Sequence, residues 1–342
     1  MPAHVRLKDI AVRARVSVAT VSLALRNSEL ISPATRARLT ALAGRMGYQT
    51  HPYVSAYMSW RRNRGALKHP SIALLHHYSA REGWRDHDSA SLREMHRGVL
   101  DQIRARGYST EEVWLGLARP RRVVEILQAR AVSGLVFAPF AQAANLPDFP
   151  WSSFSVVQIG TGPSGLNLPR VAHNHYQGSL EAVRQCRAAN CRRPGLIIDP
   201  AHDVRLQHVW RAGFEMGAEE CGFDRDAILP VSESQPNLPI LKAWLKRHKP
   251  DVIVTNLHRF AEDMLKALGL AAPKDVGLIS LSVPAMGDRI TGIEQNGYLI
   301  GTQAIDLLAG ALQFHRTGIL AEAITTLVTG RWNAGETFRA GK

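Results

Sequence analysis

The chain has 342 residues, of which 45% are hydrophobic and 21% are charged, and its formal net charge is +13. This length exceeds one ordinary domain, and the hydrophobic content is enough for a sizeable core. No apolar run reaches the ~18 residues that span a bilayer, and the basic N-terminus lacks the apolar segment of a signal peptide. We therefore expect a cytoplasmic globular protein with no membrane partner.

Residues 7–27 predict two short helices joined by a tight turn. Ser17 is placed to cap the second helix, and Ala19, Thr20 and Leu23 are left facing outward. Apolar side chains recur at helical spacing on the inner face of each helix. They are Leu7, Ile10 and Ala11 in the first helix, and Val21, Ala24 and Leu25 in the second.

Two helices this short need a third partner to bury a core, and residues 33–48 supply one. Ser32 caps this helix, Pro33 takes its first position, and Gly47 ends it. Its inward stripe consists of Leu39, Leu42, Ala43 and Met46. The result is a three-helix helix-turn-helix unit, which places its second helix in the major groove of DNA.

The charge distribution supports DNA binding. Residues 1–70 contain 12 Lys and Arg against Asp9 and Glu29, so they provide +10 of the net +13. A basic excess concentrated at one end is typical of phosphate binding, whereas a charge that only maintains solubility is spread over the chain.

The chain resembles the LacI/GalR family of bacterial transcription regulators. The resemblance rests on the sequence LKDIAVRARVSVATVSLALRN, followed by ISPATRARLTALAGRMGY, a basic linker and a long α/β segment. The resemblance implies a helix-turn-helix head and a periplasmic-binding-protein-like core of two doubly wound parallel-sheet lobes. It also implies a homodimer that binds a palindromic double-stranded DNA operator. A small-molecule effector, with a carbohydrate favoured, would control the operator affinity. We expect the role of a repressor.

In this family the first residues of the second helix contact the bases. The resemblance implies DNA contacts by Leu7, Ser17, Val18, Ala19, Thr20, Ser22, Leu23, Asn27, Tyr48, His51, Tyr57 and Met58. Many members have an Arg at the position of Leu23, where it bonds guanine, and this donor is missing here. Val18, Ala19 and Leu23 can contact thymine methyl groups instead, and the alternative for Leu23 is a packing role.

The linker departs from the family pattern. The family inserts a hinge-helix leucine into the minor groove, and Tyr57 or Met58 stands at that position here. The alternative is a basic linker, with Arg61, Arg62 and Arg64 holding phosphates nonspecifically. We expect the DNA-binding domain at residues 1–50, the hinge at 51–69 and the effector-binding core at 70–342.

From residue 71 the pattern changes to apolar strands that alternate with amphipathic helices, which predicts parallel α/β sheets. The strands are predicted at 72–76, 134–138, 155–160, 195–198, 251–255, 276–280 and 292–295. The helices are predicted at 91–106, 120–130, 177–189, 205–221, 238–248, 260–268 and 298–316. We expect one lobe at about 70–170 and 296–323, and the other at about 171–295 and 324–338.

Ligands bind such sheets at the carboxyl ends of the strands. Candidate effector contacts on this ground, or by resemblance, are His76, Arg205, Trp210, Asn256, Ser282 and Gln295. Trp210 could stack on a sugar ring or belong to the core. Arg205, predicted to open a helix, could hold a carboxylate or phosphate or be a surface charge. His76 could equally be an interior histidine.

Two sequence features bear on other functions, a glycine-rich motif and two histidine clusters. Residues 160–165, GTGPSG, match G-x-G-x-x-G, but the sequence LNLP after them predicts a loop where a dinucleotide site needs a helix. Two histidine clusters lack the spacing of metal ligands, and we expect solvated loops for His173 with His175 and for His202 with His208. We therefore expect no metal, no cofactor and no enzyme. A nucleoid-type DNA binder without an effector and, less favoured, an α/β enzyme remain the alternatives.

The three cysteines, Cys186, Cys191 and Cys221, form no CxxC motif and show no paired spacing. This pattern argues against a disulfide framework and against a zinc site.

Overall fold

The computed structural model describes residues 7–25, 30–46, 71–116, 120–139, 149–160 and 166–339. The chain divides into two compact units, residues 1–67 and residues 68–342. The predicted hinge at 51–69 lies outside the described residues.

The first unit contains three helices, α1 (Leu7–Ala14), α2 (Val18–Ala24) and α3 (Pro33–Arg45). The Ser17 hydroxyl accepts a hydrogen bond from the backbone N–H of Thr20 at 3.0 Å, which confirms the predicted cap of α2. The buried core consists of Ile10, Ala11, Val21, Ala24, Leu39 and Ala43, with Leu7, Leu25, Leu42 and Met46 packed against it. All three predicted apolar stripes are therefore confirmed.

The second unit contains two six-stranded sheets. The first has the strand order β11-β5-β4-β3-β1-β2, and every neighbouring pair in it is parallel. Its strands are β1 (Ser71–His76), β2 (Ser109–Trp114), β3 (Val132–Phe137), β4 (Ser155–Ile159), β5 (Arg170–His173) and β11 (Thr325–Val328). We call this sheet and its helices the first lobe.

The second sheet has the order β12-β10-β9-β8-β6-β7, and only its β10–β12 pair is antiparallel. Its strands are β6 (Pro194–Ile198), β7 (Ile228–Pro230), β8 (Val252–Thr255), β9 (Gly277–Val283), β10 (Gly292–Glu294) and β12 (Arg331–Asn333). We call this sheet and its helices the second lobe.

Helices cover both faces of each sheet, as the predicted doubly wound fold requires. In the first lobe they are α4 (Ala90–Ala105), α5 (Pro120–Ala129) and α11 (Gly297–Gln313). In the second lobe they are α6 (His175–Ala188), α7 (Pro200–Arg205), α8 (Val209–Cys221), α9 (Leu238–His248) and α10 (His258–Ala267).

All seven predicted strands are present, but the prediction of one helix over 205–221 is wrong. Gln207 and His208 have positive φ angles of 56° and 61°, so the chain breaks between α7 and α8. The buried Asp203 carboxylate fixes this break, because it contacts His208 Nδ1 at 2.9 Å and Arg211 Nε at 3.0 Å. Arg205 therefore ends a helix and does not open one.

The strands also set where the chain passes between the lobes. It crosses after β5, between β10 and α11, and between β11 and β12. Because β5 and β11 pair in parallel at the edge of the first sheet, residues 171–173 and 325–328 belong to the first lobe. The lobe limits expected near 170 and 324 therefore move to about 174 and 329.

Candidate functional site

The outer face of α2 is the first candidate surface. Val18 is 44% exposed, Ala19 is exposed, and Thr20, Ser22 and Leu23 are half-buried. Capping of α2 by Ser17 leaves the first turn of the helix accessible beside these side chains. A short exposed helix terminus with small and apolar side chains can approach base edges closely in a major groove.

The turn between α1 and α2 is formed by the backbone at Arg15 and Val16. This residue has a positive φ of 54°, and the N–H of Val16 bonds the carbonyl of Ala11 at 3.1 Å, which closes the end of α1. Val16 then packs against the core of the unit, so α2 leaves the turn at a fixed angle.

The same unit carries several accessible basic side chains. Lys8, Arg13, Arg15, Arg36, Arg38 and Arg45 are exposed or half-buried, and among the described residues of this unit Asp9 is the acidic one. Such a distribution favours contacts with phosphate oxygens, which position a protein on DNA without reading its sequence.

The other predicted DNA contacts have different environments. Leu7 is half-buried and packs against the three-helix core. Five lie outside the described residues: Asn27, Tyr48, His51, Tyr57 and Met58.

The second candidate site is a cleft at the carboxyl ends of the strands of both lobes. On the first-lobe side, the Tyr78 hydroxyl donates a hydrogen bond to the Pro139 carbonyl at 2.8 Å, which joins the ends of β1 and β3. The Tyr78 ring lies 5.5 Å from the ring of His76 and 5.0 Å from the ring of His87. These contacts form an aromatic wall.

Asp199, Asn256 and His202 form the wall on the second-lobe side. The Asp199 carboxylate accepts hydrogen bonds from the N–H groups of Ala201 at 2.8 Å and His202 at 3.1 Å, so it caps α7. Asn256, which follows β8, accepts from the Asp199 N–H at 3.3 Å through its side-chain oxygen. Its amide nitrogen lies 3.0 Å from His202 Nδ1, which makes Asn256 the link between two strand ends and α7.

Arg205 connects the two walls electrostatically. Burial lowers the pKa of Arg205, while the charge of Asp199 and the hydroxyl of Tyr78 raise it. Burial raises the pKa of Tyr78, and Arg205 opposes that rise from the other lobe. The guanidinium therefore lies close enough to the phenol to influence it across the cleft.

Behind Arg205, the site is closed by rings from α6 and α8. The His175 ring meets the Trp210 ring edge-on at a centroid distance of 4.8 Å, and its Nδ1 is buried with no hydrogen-bond partner among the described residues. Burial lowers the pKa of His175 well below its usual value, so the ring is neutral. Trp210 is 6% exposed and belongs to the core of the second lobe, and His76 is 2% exposed in the first.

Of the remaining candidates, Gln295 lies where the chain crosses between the lobes, and Ser282 lies within β9 of the second lobe. The Gln295 amide donates to the Leu281 carbonyl at 3.0 Å, and its oxygen accepts from the Ser91 hydroxyl of α4 at 3.3 Å. Ser282 is half-buried near the end of β9, where its N–H bonds the Ser280 hydroxyl at 3.1 Å. Gln295 thus joins the two lobes.

His173 lies at the crossings and is not a solvated loop residue. It is 2% exposed, and a side chain at Gly330 would come within 2.8 Å of its ring. Burial lowers its pKa to about 4, against smaller opposing effects of the Val328 and Gln295 backbones. Of the other predicted loop histidines, His202 is half-buried on α7, and only His208 is largely exposed.

Sequence reasoning placed His76, Arg205 and Asn256 at this cleft, and it missed Tyr78, Asp199 and His175. Tyr78 lies two residues after the end of β1, and Asp199 lies one residue after the end of β6. Both strands were predicted, so a search for ligand contacts up to two residues beyond each predicted strand end would have found these side chains. His175 follows β5, a strand that was not predicted.

Among the described residues, no group of three or more His, Cys, Asp or Glu side chains could hold a metal ion. None of the helices in that part of the chain is long and apolar enough to cross a membrane. Residues 161–165 of the G-x-G-x-x-G match lie outside the described residues, and no helix is present at 166–169.

Comparison with protein families gives matches for both units. Residues 6–51 match the sequence model of "Bacterial regulatory proteins, lacI family", and residues 183–338 match that of the periplasmic binding protein-like domain. The first unit therefore contains a lacI-family domain, and the second unit contains a periplasmic binding protein-like domain. The lacI match covers the three described helices of the first unit, and the second match covers most of the second lobe.

Similar proteins and solved structures extend over nearly the whole chain. The HTH-type transcriptional repressor CytR of Escherichia coli K12 is 24% identical over 341 residues, covering 91% of each chain. The ribose operon repressor of Bacillus subtilis is 24% identical over 322 residues, covering 90% of this chain and 91% of its own.

Two solved structures share the fold of this chain. A transcriptional regulator CelR–cellobiose complex superimposes with a TM-score of 0.60 at 17% identity, covering 98% of this chain and all of its own. The lac repressor dimer bound to operator and the anti-inducer ONPF superimposes with a TM-score of 0.56 at 16% identity, covering 99% and 100%.

Proposed function

We propose that this chain is a homodimeric transcriptional repressor that binds a palindromic operator. Binding of a small molecule in the cleft lowers or raises its affinity for that operator. The observation that supports it most is the capped helix α2, which exposes Val18 and Ala19 within a basic three-helix unit. One such unit contacts half a site, so a two-fold dimer matches a palindrome.

In this proposal the head comprises residues 1–50, the hinge 51–69 and the effector-binding core 70–342. Basic side chains of the head hold phosphates, while α2 contacts base edges. Without an arginine at position 23, apolar contacts of Val18, Ala19 and Leu23 with thymine methyl groups select the bases. Tyr57 or Met58 of the hinge inserts into the minor groove and bends the operator.

The proposed effector is a sugar or sugar derivative bound between Tyr78 and the α7 wall. Asn256 and Asp199 offer the amide and carboxylate groups that bond hydroxyls, and the Tyr78 and His87 rings offer an apolar face. Relatives named as a ribose operon repressor and a cellobiose complex support this ligand class. The proposal includes no enzymatic step, because relatives that extend over nearly the whole chain are named as repressors.

Effector control follows from the position of the cleft. Its walls belong to different lobes, so a ligand that contacts both changes the relative stability of open and closed arrangements. The operator affinity then changes by the factor by which the effector prefers one arrangement.

Selection of bound DNA from a random pool, at a stated salt concentration, tests the proposed DNA recognition. We expect a palindromic consensus from the purified chain. Leu23→Arg places a guanidinium on the base-facing side of α2, so it should add a guanine preference in each half-site.

The matched control is Leu30→Arg, because Leu30 is 81% exposed and lies outside α2. It adds the same charge and should raise affinity for all sequences without a new base preference. Recovery of no consensus from the unaltered chain would contradict the proposal and favour nonspecific binding.

A further inference from the structure

Two of the three cysteines face each other at the end of α6. Asn190 has a positive φ of 60°, its N–H bonds the Arg187 carbonyl, and the N–H of Cys191 bonds the Cys186 carbonyl, each at 3.0 Å. This pair of bonds is the Schellman motif that ends many helices. The motif brings the side chains of its first and last residues together, and here those residues are Cys186 and Cys191.

The two thiols interact directly. The hydrogen bond with Cys191, together with burial, raises the pKa of Cys186. The same hydrogen bond lowers the pKa of Cys191, against the smaller opposing effects of burial and of the Asp251 carboxylate. The Cys186 thiol also lies 3.1 Å from the Ala182 carbonyl of the preceding helical turn. Cys186 is thus the member that keeps its proton, and Cys191 is the member whose thiolate is stabilised.

Of these two thiols, Cys191 is the more accessible, at 9% exposure. It lines a cavity of about 570 Å³ together with Asp251, Lys274 and Arg339, whereas Cys186 is 0% exposed. The Asp251 carboxylate in this cavity accepts hydrogen bonds from the N–H groups of Arg192 at 2.6 Å and Arg193 at 3.0 Å. A cavity of this size admits molecules much larger than water.

We propose that Cys191 and Cys186 form a thiol oxidation site for small hydroperoxides, in which Cys191 is attacked first and Cys186 resolves. The Cys191 thiolate attacks a peroxide oxygen, the O–O bond breaks, and a sulfenic acid forms as hydroxide or alkoxide leaves and takes up a proton. The Cys186 sulfur then displaces water from the sulfenic acid, which gives a disulfide. The two thiols lose two electrons and two protons, and the peroxide is reduced to two waters or to water and an alcohol.

This site is separate from the effector cleft. It lies at the start of β6, β8 and β9, whereas the cleft lies at the carboxyl ends of the strands. Oxidation of these thiols therefore does not depend on the proposed repressor function, and the test below needs neither operator nor effector.

The reduced full-length protein is treated with hydrogen peroxide, alkylated, digested with trypsin without reduction, and examined by mass spectrometry. Trypsin cleaves after Arg184, Arg187 and Arg192, so Cys186 and Cys191 fall in the separate peptides 185–187 and 188–192. We expect these peptides to be joined and two hydrogens lighter than their sum, while Cys221 remains alkylated.

Variants separate the two roles. In Cys186→Ala, the Cys191 sulfenic acid should persist and react with a cyclic 1,3-dione. In Cys191→Ala, Cys186 should resist peroxide, and Cys221→Ala, the matched control, should behave as the unaltered chain. Joined peptides that form only after denaturation, oxidation of Cys221 before Cys191, or unchanged oxidation of Cys186 in Cys191→Ala would each overturn the proposal.

Discussion

Leu39→Ala tests whether the first unit depends on the small core seen in the structure. Leu39 is fully buried, and three of the other five buried members of that core are alanines. Removing a buried leucine side chain costs about 2–5 kcal/mol. A domain of this size has a total stability of roughly 2–7 kcal/mol, so the variant should leave much of the head unfolded at equilibrium.

The assay combines calorimetry with fluorescence anisotropy on operator DNA. Leu39→Ala should lower or abolish the melting transition of the head, leave that of residues 68–342 unchanged, and weaken specific DNA binding at least tenfold. Leu30→Ala makes the same chemical change at a residue that is 81% exposed, so its effect should stay within about 0.5 kcal/mol. Operator affinity and head stability of Leu39→Ala close to those of Leu30→Ala would refute the core assignment.

Three further predictions concern single contacts. Ser17→Ala removes the α2 cap and should lower the stability of the head by about 1 kcal/mol in calorimetry; no change would contradict the capping role. Glu294→Gln weakens the bonds from Arg331 Nε and Nη2, at 3.0 and 2.8 Å, that join β10 to β12, and should cost about 2 kcal/mol of second-unit stability in urea unfolding. An equal urea midpoint for both proteins would argue against that contribution. Burial lowers the folded pKa of His173 to about 4 from 6.5, so the unfolded chain takes up the proton first as pH falls. Stability should then decrease between about pH 6.5 and 4 by up to about 3 kcal/mol, and His173→Leu should reduce this decrease; an unchanged pH slope of the melting temperature would count against it.

The helix-turn-helix unit could be predicted from sequence because its signals are local. Ser17 and Ser32 are N-caps with the expected bonds, and Leu39 and Val21 face the core as their spacing indicates. Buried parallel strands such as β1 and β8 were also found, since both faces of such a strand are apolar.

Edge strands were missed for the opposite reason. β2, with the sequence STEEVW, has a single buried residue at one edge of the first sheet, and β11 has two exposed residues at the other edge. Their polar or mixed patterns do not differ from those of loops, and only pairing with a neighbouring strand orders them. The missed β11 also shifted the expected lobe limit.

The break between α7 and α8 depends on tertiary contacts. The apolar pattern of residues 205–221 continues without a proline or glycine until Gly213, so the sequence predicts one helix. The left-handed residues Gln207 and His208 are held by the buried carboxylate of Asp203, which no helical periodicity indicates.

The residues of the cleft could not be brought together from sequence alone, whereas the thiol pair has a local sequence signal. Tyr78 and Arg205 are distant in sequence and meet only because two lobes face each other. Cys186 and Cys191 are five residues apart around a helix end, and Asn190 before Cys191 is the local signal of the left-handed turn that joins them.

The central claim is that one ligand in the cleft controls the affinity of the head for DNA. The direct measurement is the binding of candidate saccharides to the full-length protein by calorimetry, with and without selected operator, beside operator affinity with and without saccharide. Thermodynamic linkage requires both affinities to change by the same factor, and we expect roughly 5–150-fold. A saccharide that binds with equal affinity in the presence and absence of operator would contradict the claim.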